Sequence, residues 1–208
     1  MAQPVLIKRE SYLTPDSSRE IKYVTLLRDA VTQLHQNHIL DLSIEDMARR
    51  TSISKRTIYR FFQGKDRLIA EAICLDFMQW EGWFFETLRS RASSPAKELR
   101  LFCTLLSEWK NSPDFGGCLF ARALFSENRI SGFSAEAARE CAEKCAQRLM
   151  VLMKAGKKKP KTLLSRLFIT SALAALSGLP SSRLWTSPAD LTALLRELPA
   201  AEPEKGRS

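Results

Sequence analysis

The sequence predicts an all-α chain of about nine helices: an N-terminal three-helix helix-turn-helix head followed by a larger C-terminal helical domain. Three observations predict the fold class. Apolar residues recur at helical spacing along most of the chain, with no convincing strand alternation and no internal repeat. Capping signals open the periodic stretches at Ser17, Ser43, Ser54, Ser93-Ser94-Pro95 and Ser187-Pro188. Turn-rich interruptions separate them at Gly64, Asn111 to Gly117, Arg129 to Gly132, Gly156 to Pro160 and Pro180. A length of 208 residues allows one large domain or two small ones, and 45% hydrophobic with 26% charged residues excludes disorder throughout.

Residues 1–17 hold two prolines and no sustained period, so they read as a flexible arm. Ser17, with Glu20 three residues on, opens the first helix, whose inward face is Val24, Leu27, Val31 and Leu34; Asn37-His38 offers a left-handed stop. Ser43 caps a second helix with Ile44, Met47 and Ala48 inward, and Asp46 gives a weaker capping box. Ser54 caps a third. The head is expected over 18–64.

After Gly64 a long helix carries the stripe Ile69, Ile73, Phe77, Trp80, Phe84 and Leu88. The next, after Pro95, carries Leu99, Phe102, Cys103, Leu106 and Trp109. Cys118 to Phe125 forms a short segment, and a helix from about Ala135 to Ala155 turns Ala138, Cys141, Ala142, Cys145, Leu149 and Leu152 inward. Leu163 to Gly178 presents small residues on one face, which permits close helix approach. A last helix carries Leu191, Leu194, Leu195 and Leu198. The larger domain is expected over 65–201, with 202–208 a tail.

Charge is the first functional signal. Of a net +9, Arg49 to Arg67 holds seven cations (Arg49, Arg50, Lys55, Arg56, Arg60, Lys65, Arg67) against Asp66 alone. From Thr51 to Lys65 there is no carboxylate, a bias that points to an anionic partner, duplex DNA foremost. Two short capped helices joined by a tight turn are the standard reader of the major groove, with the second helix inserted N-terminus first.

At Met47-Ala48, Ile53-Ser54, Thr57-Ile58-Tyr59, Phe62 and Lys65-Asp66-Arg67-Leu68 the sequence resembles the TetR family of bacterial transcriptional repressors. The motifs run from Arg19 to about Ala72; beyond them the likeness rests on length, helical content and a C-terminal helix pair suited to dimerisation. The resemblance implies a homodimer whose heads bind a palindromic operator in double-stranded DNA and whose C-terminal domains bind a small effector. Leu167, Ser171, Ala174, Ala175, Leu191, Leu194 and Leu195 are the expected dimer contacts. Two departures stand out. Ser52 occupies the turn position where the family usually has glycine, so a tolerated left-handed strain or an altered turn is expected. Arg56 replaces a residue that is often small.

Lys55, Arg56 and Thr57 lie at the front of the reading helix, nearest base edges. Arg56 can donate twice to guanine O6 and N7 and is assigned sequence readout. Ser43, Ser54, Tyr59, Arg60 and Lys65 are assigned to phosphates, Lys65 together with the amides of its helix start. Ile58, Phe61 and Phe62 are assigned to the head's core.

Other constellations carry less. His35 and His38 have no cysteine nearby, so no metal is expected, and both lie in the head, away from any catalytic centre of the larger domain. Cys141 and Cys145 share a face, suiting either a thiol pair or, preferably, small core residues; five cysteines do not make a disulfide framework. Trp80, Phe84, Phe102 and Trp109 are the candidate lining of a largely apolar effector pocket. Lys157, Lys158, Lys159 and Lys161 read as a solvated basic loop. No phosphate loop, metalloprotease helix or nucleophile elbow is present, and no cofactor or catalytic residue is expected. Glu98, Glu108, Glu136, Glu140 and Glu143 have the spacing of solvent-facing positions rather than of a carboxylate centre. No apolar run approaches the roughly 20 residues of a membrane span and residues 1–19 lack a secretory pattern, so a cytoplasmic location is expected. The reading is a ligand-responsive repressor; its alternative is an architectural or adaptor DNA-binding protein of the same fold without an effector.

Overall fold

A computed structural model describes residues 17–113, 115–125, 130, 132–156, 158, 162–177 and 188–197. The expected arm, the tail, the stop at Pro180, the Ser187 cap, Lys157, Lys159, Lys161 and the Leu191 side chain lie outside the described residues. The described residues form nine α-helices and no β-strand: α1 Ser18–Gln36, α2 Ile44–Thr51, α3 Lys55–Phe62, α4 Lys65–Arg91, α5 Pro95–Lys110, α6 Leu119–Phe125, α7 Gly132–Ala155, α8 Leu163–Leu176 and α9 Pro188–Glu197. The all-α expectation holds. Among the described residues no helix is long and apolar enough to cross a membrane.

Contacts divide the chain into two compact units, one of residues 1–80 and 118–141, the other of 81–117 and 142–208. In the first, α1, α2 and α3 pack in sequence, with Leu26, Leu27, Ala30, Leu34, Met47, Ile58, Phe62 and Leu68 fully buried. Each such large side chain contributes on the order of 1.5–3 kcal/mol of transfer free energy. Ser17 closes α1 with a reciprocal capping box through Glu20. At the other end Asn37 is extended, not left-handed, and its side-chain amide donates back to the Gln33 carbonyl at 3.1 Å. The cap therefore uses a side chain where the sequence suggested a backbone reversal.

The same unit contains α6 and the start of α7, tied in by polar contacts that cross long stretches of chain. The Arg122 guanidinium on α6 donates to the Leu34 carbonyl at 2.9 Å, the His35 carbonyl at 3.3 Å and the Asn37 carbonyl at 3.1 Å. It satisfies the open carbonyls at the C-terminal end of α1. Burial, partly offset by Asp76, holds the Arg122 guanidinium below its ordinary value. On α4, buried Asp76 accepts from the Leu119 backbone N–H at 2.9 Å and lies 2.7 Å from His35 Nε2. Asp66, at the start of α4, accepts from the backbone N–H groups of Phe133 at 2.7 Å and Ser134 at 3.2 Å and from the Ser134 hydroxyl. It caps α7 from another helix. Gly132 permits this: its φ is +64°, and a Cβ there would lie 2.5 Å from Asp66 Oδ2.

In the second unit, Phe84, Leu88, Phe102, Leu106, Leu149, Met153 and Phe168 form the core, with Phe102 meeting Phe84 edge to face at 5.4 Å. α9 packs on α5 and α8. Arg148 donates to Glu81 at 3.2 Å and lies 5.2 Å over the Phe85 ring. All five cysteines are buried and none is in a disulfide. Burial pushes the Cys103 thiol up to about 12 and raises Cys145 as well, so neither is poised as a thiolate. The core reading of Cys141 and Cys145 fits this placement.

Candidate nucleic-acid interface

Local chemistry shapes the reading element. Ser43 accepts from the Asp46 N–H at 3.2 Å and Ser54 from the Thr57 N–H at 3.3 Å, so each helix begins on a serine hydroxyl. Between them Ser52 ends α2 at φ 57°, ψ 24°. The turn is thus the left-handed one with a serine in it, not an altered turn, and it holds strain of about 1 kcal/mol. Gln63 ends α3 in the same conformation. Ile53, Ile58 and Phe62 are buried beneath, while Phe61 is only half-buried, stacked edge-on against Tyr23 at 5.7 Å.

Away from this floor, Ser54, Lys55, Arg56, Tyr59 and Arg60 are exposed, Tyr59 by 50%; Ser43, Thr57 and Lys65 are half-buried. The expected interface residues on α3 therefore lie on its solvent side, with Ser43 the N-cap of α2 and Lys65 the first residue of α4. The basic segment is less bare in space than in sequence. Arg50 makes a fork to Asp29 at 2.9 and 3.1 Å, Arg49 pairs with Asp46, Lys55 with Glu45, and Arg67 lies 3.6 Å from Glu71. The Lys55 ammonium hydrogen-bonded to it holds the Glu45 carboxyl below its ordinary value. The Arg60 guanidinium lies over the Phe61 ring, 6.0 Å from its centroid. Arg56 forms no hydrogen bond or ion pair among the described residues. At the front of α3 it differs in this from Lys55, which is paired with Glu45.

Residues 26–72 match the family model described as bacterial regulatory proteins, tetR family. A TetR-family transcriptional regulator from Agrobacterium tumefaciens aligns at 16% identity over 86% of this chain and 96% of its own, with a TM-score of 0.64. The chain is TetR-like in its head and in its fold. A TetR-family regulator from Streptomyces coelicolor aligns at 16% identity over 85% and 95%, TM-score 0.67. The regulator FadR of Bacillus subtilis, solved in complex with stearoyl-CoA, aligns at 14% identity over 84% and 96%, TM-score 0.55. No curated protein sequence matches the chain.

Within this TetR-like chain the remaining expected site residues fall as follows. Phe84 meets Phe102 at 5.4 Å and Trp109 at 6.5 Å, whereas Trp80 groups with Phe77 and Phe120 in the other unit. Trp80, Phe84 and Phe102 are buried and Trp109 is half-buried. The second unit does hold a cavity of about 500 Å³, lined by Leu99, Arg100, Thr104, Gly156, Lys158, Thr192, Leu195 and Arg196, and none of the four aromatics is among its lining. Sequence reasoning sought aromatic walls and missed it; the signal available was a Leu-Arg pair with a threonine one turn away on each of two helices. Of the expected dimer contacts, Leu167 is 46% exposed, Ser171, Ala174 and Leu194 are half-buried, and Ala175 and Leu195 are buried within the chain itself. Among the described residues no cluster could hold a metal ion.

Proposed function

We propose that this chain is a dimeric, sequence-specific transcriptional regulator, a repressor released from a palindromic operator by a small-molecule effector. The observation that carries the reading is the solvent-facing front of α3, where Arg56, one residue into the Ser54-capped helix, stands exposed and without a hydrogen bond or ion pair among the described residues. Arg56 reads guanine; Ser43, Ser54, Tyr59, Arg60 and Lys65 hold phosphates, and Lys55 and Thr57 lie against neighbouring base edges. Lys55 exchanges Glu45 for DNA on binding. One small head gives limited affinity, so two are needed, with half-site centres about 34–36 Å apart.

Dimerisation is supported by apolar surface that one chain leaves uncovered: Leu163 is 73% exposed and Leu167 46%, one turn apart on α8. Effector response is supported by a cavity of drug-like size in the second unit, and FadR of Bacillus subtilis binds an acyl-CoA on a similar fold. Signal transfer runs along α4 and α7, each of which contributes residues to both units. Arg122 and Asp76 pass it to α1. An adaptor without an effector is the competing reading, and it leaves the cavity without a use.

The test is a salt-controlled gel shift with an operator recovered by the protein. Arg56→Ala is expected to lose about 1–3 kcal/mol of preference for operator over random DNA. Lys65→Ala is expected to weaken both DNAs alike and to reduce the salt slope by about one. Operator binding by both variants equal to the parent overturns the role assignment.

A further inference from the structure

The cavity of the second unit has a chemically one-sided wall. α5 and α9, which pack together, each contribute the same three side-chain types: Leu99, Arg100 and Thr104 from α5, and Leu195, Arg196 and Thr192 from α9. On each helix the arginine and threonine are four residues apart and so lie on one face. Lys158, whose backbone N–H donates to the Met153 carbonyl at 2.8 Å at the end of α7, brings a third cation. Among the described residues no carboxylate belongs to the lining.

The depth profile is ordered. Leu99 and Leu195 are buried at 3% and 5%, Thr192 and Lys158 are half-buried, and Arg100 and Arg196 are exposed. Cys103, hydrogen-bonded with Thr192, backs the floor as an un-ionised thiol. Gly156 keeps the space open, since a Cβ there would already come within 3.2 Å of Leu99 Cδ2. The lining thus combines exposed or half-buried cations and hydroxyls from two helices and a loop with two buried leucines.

From this we infer that the cavity between α5 and α9 is a binding site for a small amphipathic anion, its carboxylate or phosphate head held by Arg100, Arg196 and Lys158 and its apolar part on Leu99 and Leu195. Guanidinium forks from two packed helices suit a planar or tetrahedral oxyanion, which accepts several charge-assisted hydrogen bonds at once. A volume of about 500 Å³ lies within the range of small-ligand pockets. As a binding site the inference stands on the lining alone; as the effector site it rests on the regulator reading above, and it gives the largely apolar effector expected there an anionic head.

The test uses the full chain and four probes in titration calorimetry at low salt: decanoate, decyl phosphate, 1-decanol and inorganic phosphate. At least one of the two anionic amphiphiles is expected to bind at least about tenfold tighter than decanol and than inorganic phosphate. Which of the two binds tighter identifies the head group. Arg100→Gln with Arg196→Gln, both at exposed positions, is expected to weaken the anion at least about tenfold and to leave decanol unchanged. Equal binding of decanol, an anion affinity unmoved by the double variant, or no binding of either amphiphile overturns the inference. Operator retention by the ligand-free protein is scored separately. DNA binding without anion binding overturns the anion site alone, and anion binding without DNA binding overturns the regulator reading alone.

Discussion

Replacing Arg122 tests how α6 is joined to the head. Its guanidinium serves three carbonyls at the end of α1, at 2.9, 3.3 and 3.1 Å, from a half-buried position. Hydrogen bonds to a charged donor contribute roughly 1.5–3 kcal/mol, but the three bonds share one desolvated cation, and the exposed Asn37 end can regain water. Arg122→Met keeps the apolar stem and removes the fork, so the expected loss is about 2–3 kcal/mol. For a chain of this size that is a fall in Tm of about 4–12 °C. Arg122→Lys, a single point donor, is expected to recover less than half of the loss. Thermal unfolding followed by circular dichroism measures both, with Arg28→Ala, an exposed change on α1, as a control expected within about 0.5 kcal/mol of the parent. An Arg122→Met variant as stable as the parent, or full stability in the Arg122→Lys variant, refutes the reasoning.

Other perturbations follow from the same geometry. Asp66→Ala removes the acceptor that caps α7 and is expected to cost about 1–2 kcal/mol in denaturant unfolding, while Gly132→Ala is expected to lose at least as much, because its Cβ displaces Asp66 and its φ is left-handed. At Ser52, glycine or asparagine is expected to keep stability within about 0.5 kcal/mol of the parent, whereas valine is expected to cost about 1–2 kcal/mol by the same assay. Glu71 is buried, accepts from the Tyr23 hydroxyl and faces Arg67; burial raises its carboxyl above the ordinary 4.5. The folded chain then holds that proton more tightly than the unfolded one, so this group's contribution to stability falls as pH rises from about 4.5 through the raised value. Relative to Glu71→Gln, the parent is expected to lose stability between pH 4 and pH 7; a difference that stays constant or grows in the parent's favour contradicts the assignment.

The helix starts were legible because capping is local: Ser17, Ser43 and Ser54 each bond an N–H within three residues. The solvent side of α3 was legible for the same reason, since Ile58 and Phe62 fix which face turns inward. What sequence could not show depends on distant partners. Asp29 neutralises Arg50 from 21 positions away, Arg122 caps a helix end 85 to 88 positions away, and Asp66, which looked like a stray acid in a basic segment, is the cap of α7. The cavity was missed because its polar groups come from α5, the end of α7 and α9, and only packing brings them together. Aromatics such as Phe84 and Phe102 look the same in sequence whether they fill a core or line a pocket; here they are fully buried.

The central claim is that two copies of α3, each led by Arg56, read successive turns of one duplex. Sequencing genomic fragments retained by the purified protein at physiological salt tests it most directly. The account predicts recovery of an inverted repeat whose half-sites are centred about 10–10.5 base pairs, roughly 34–36 Å, or a multiple of that apart, each containing a guanine lost from the selected set when Arg56 is replaced by alanine. Fragments with no shared repeat, or a repeat indifferent to Arg56, contradict it.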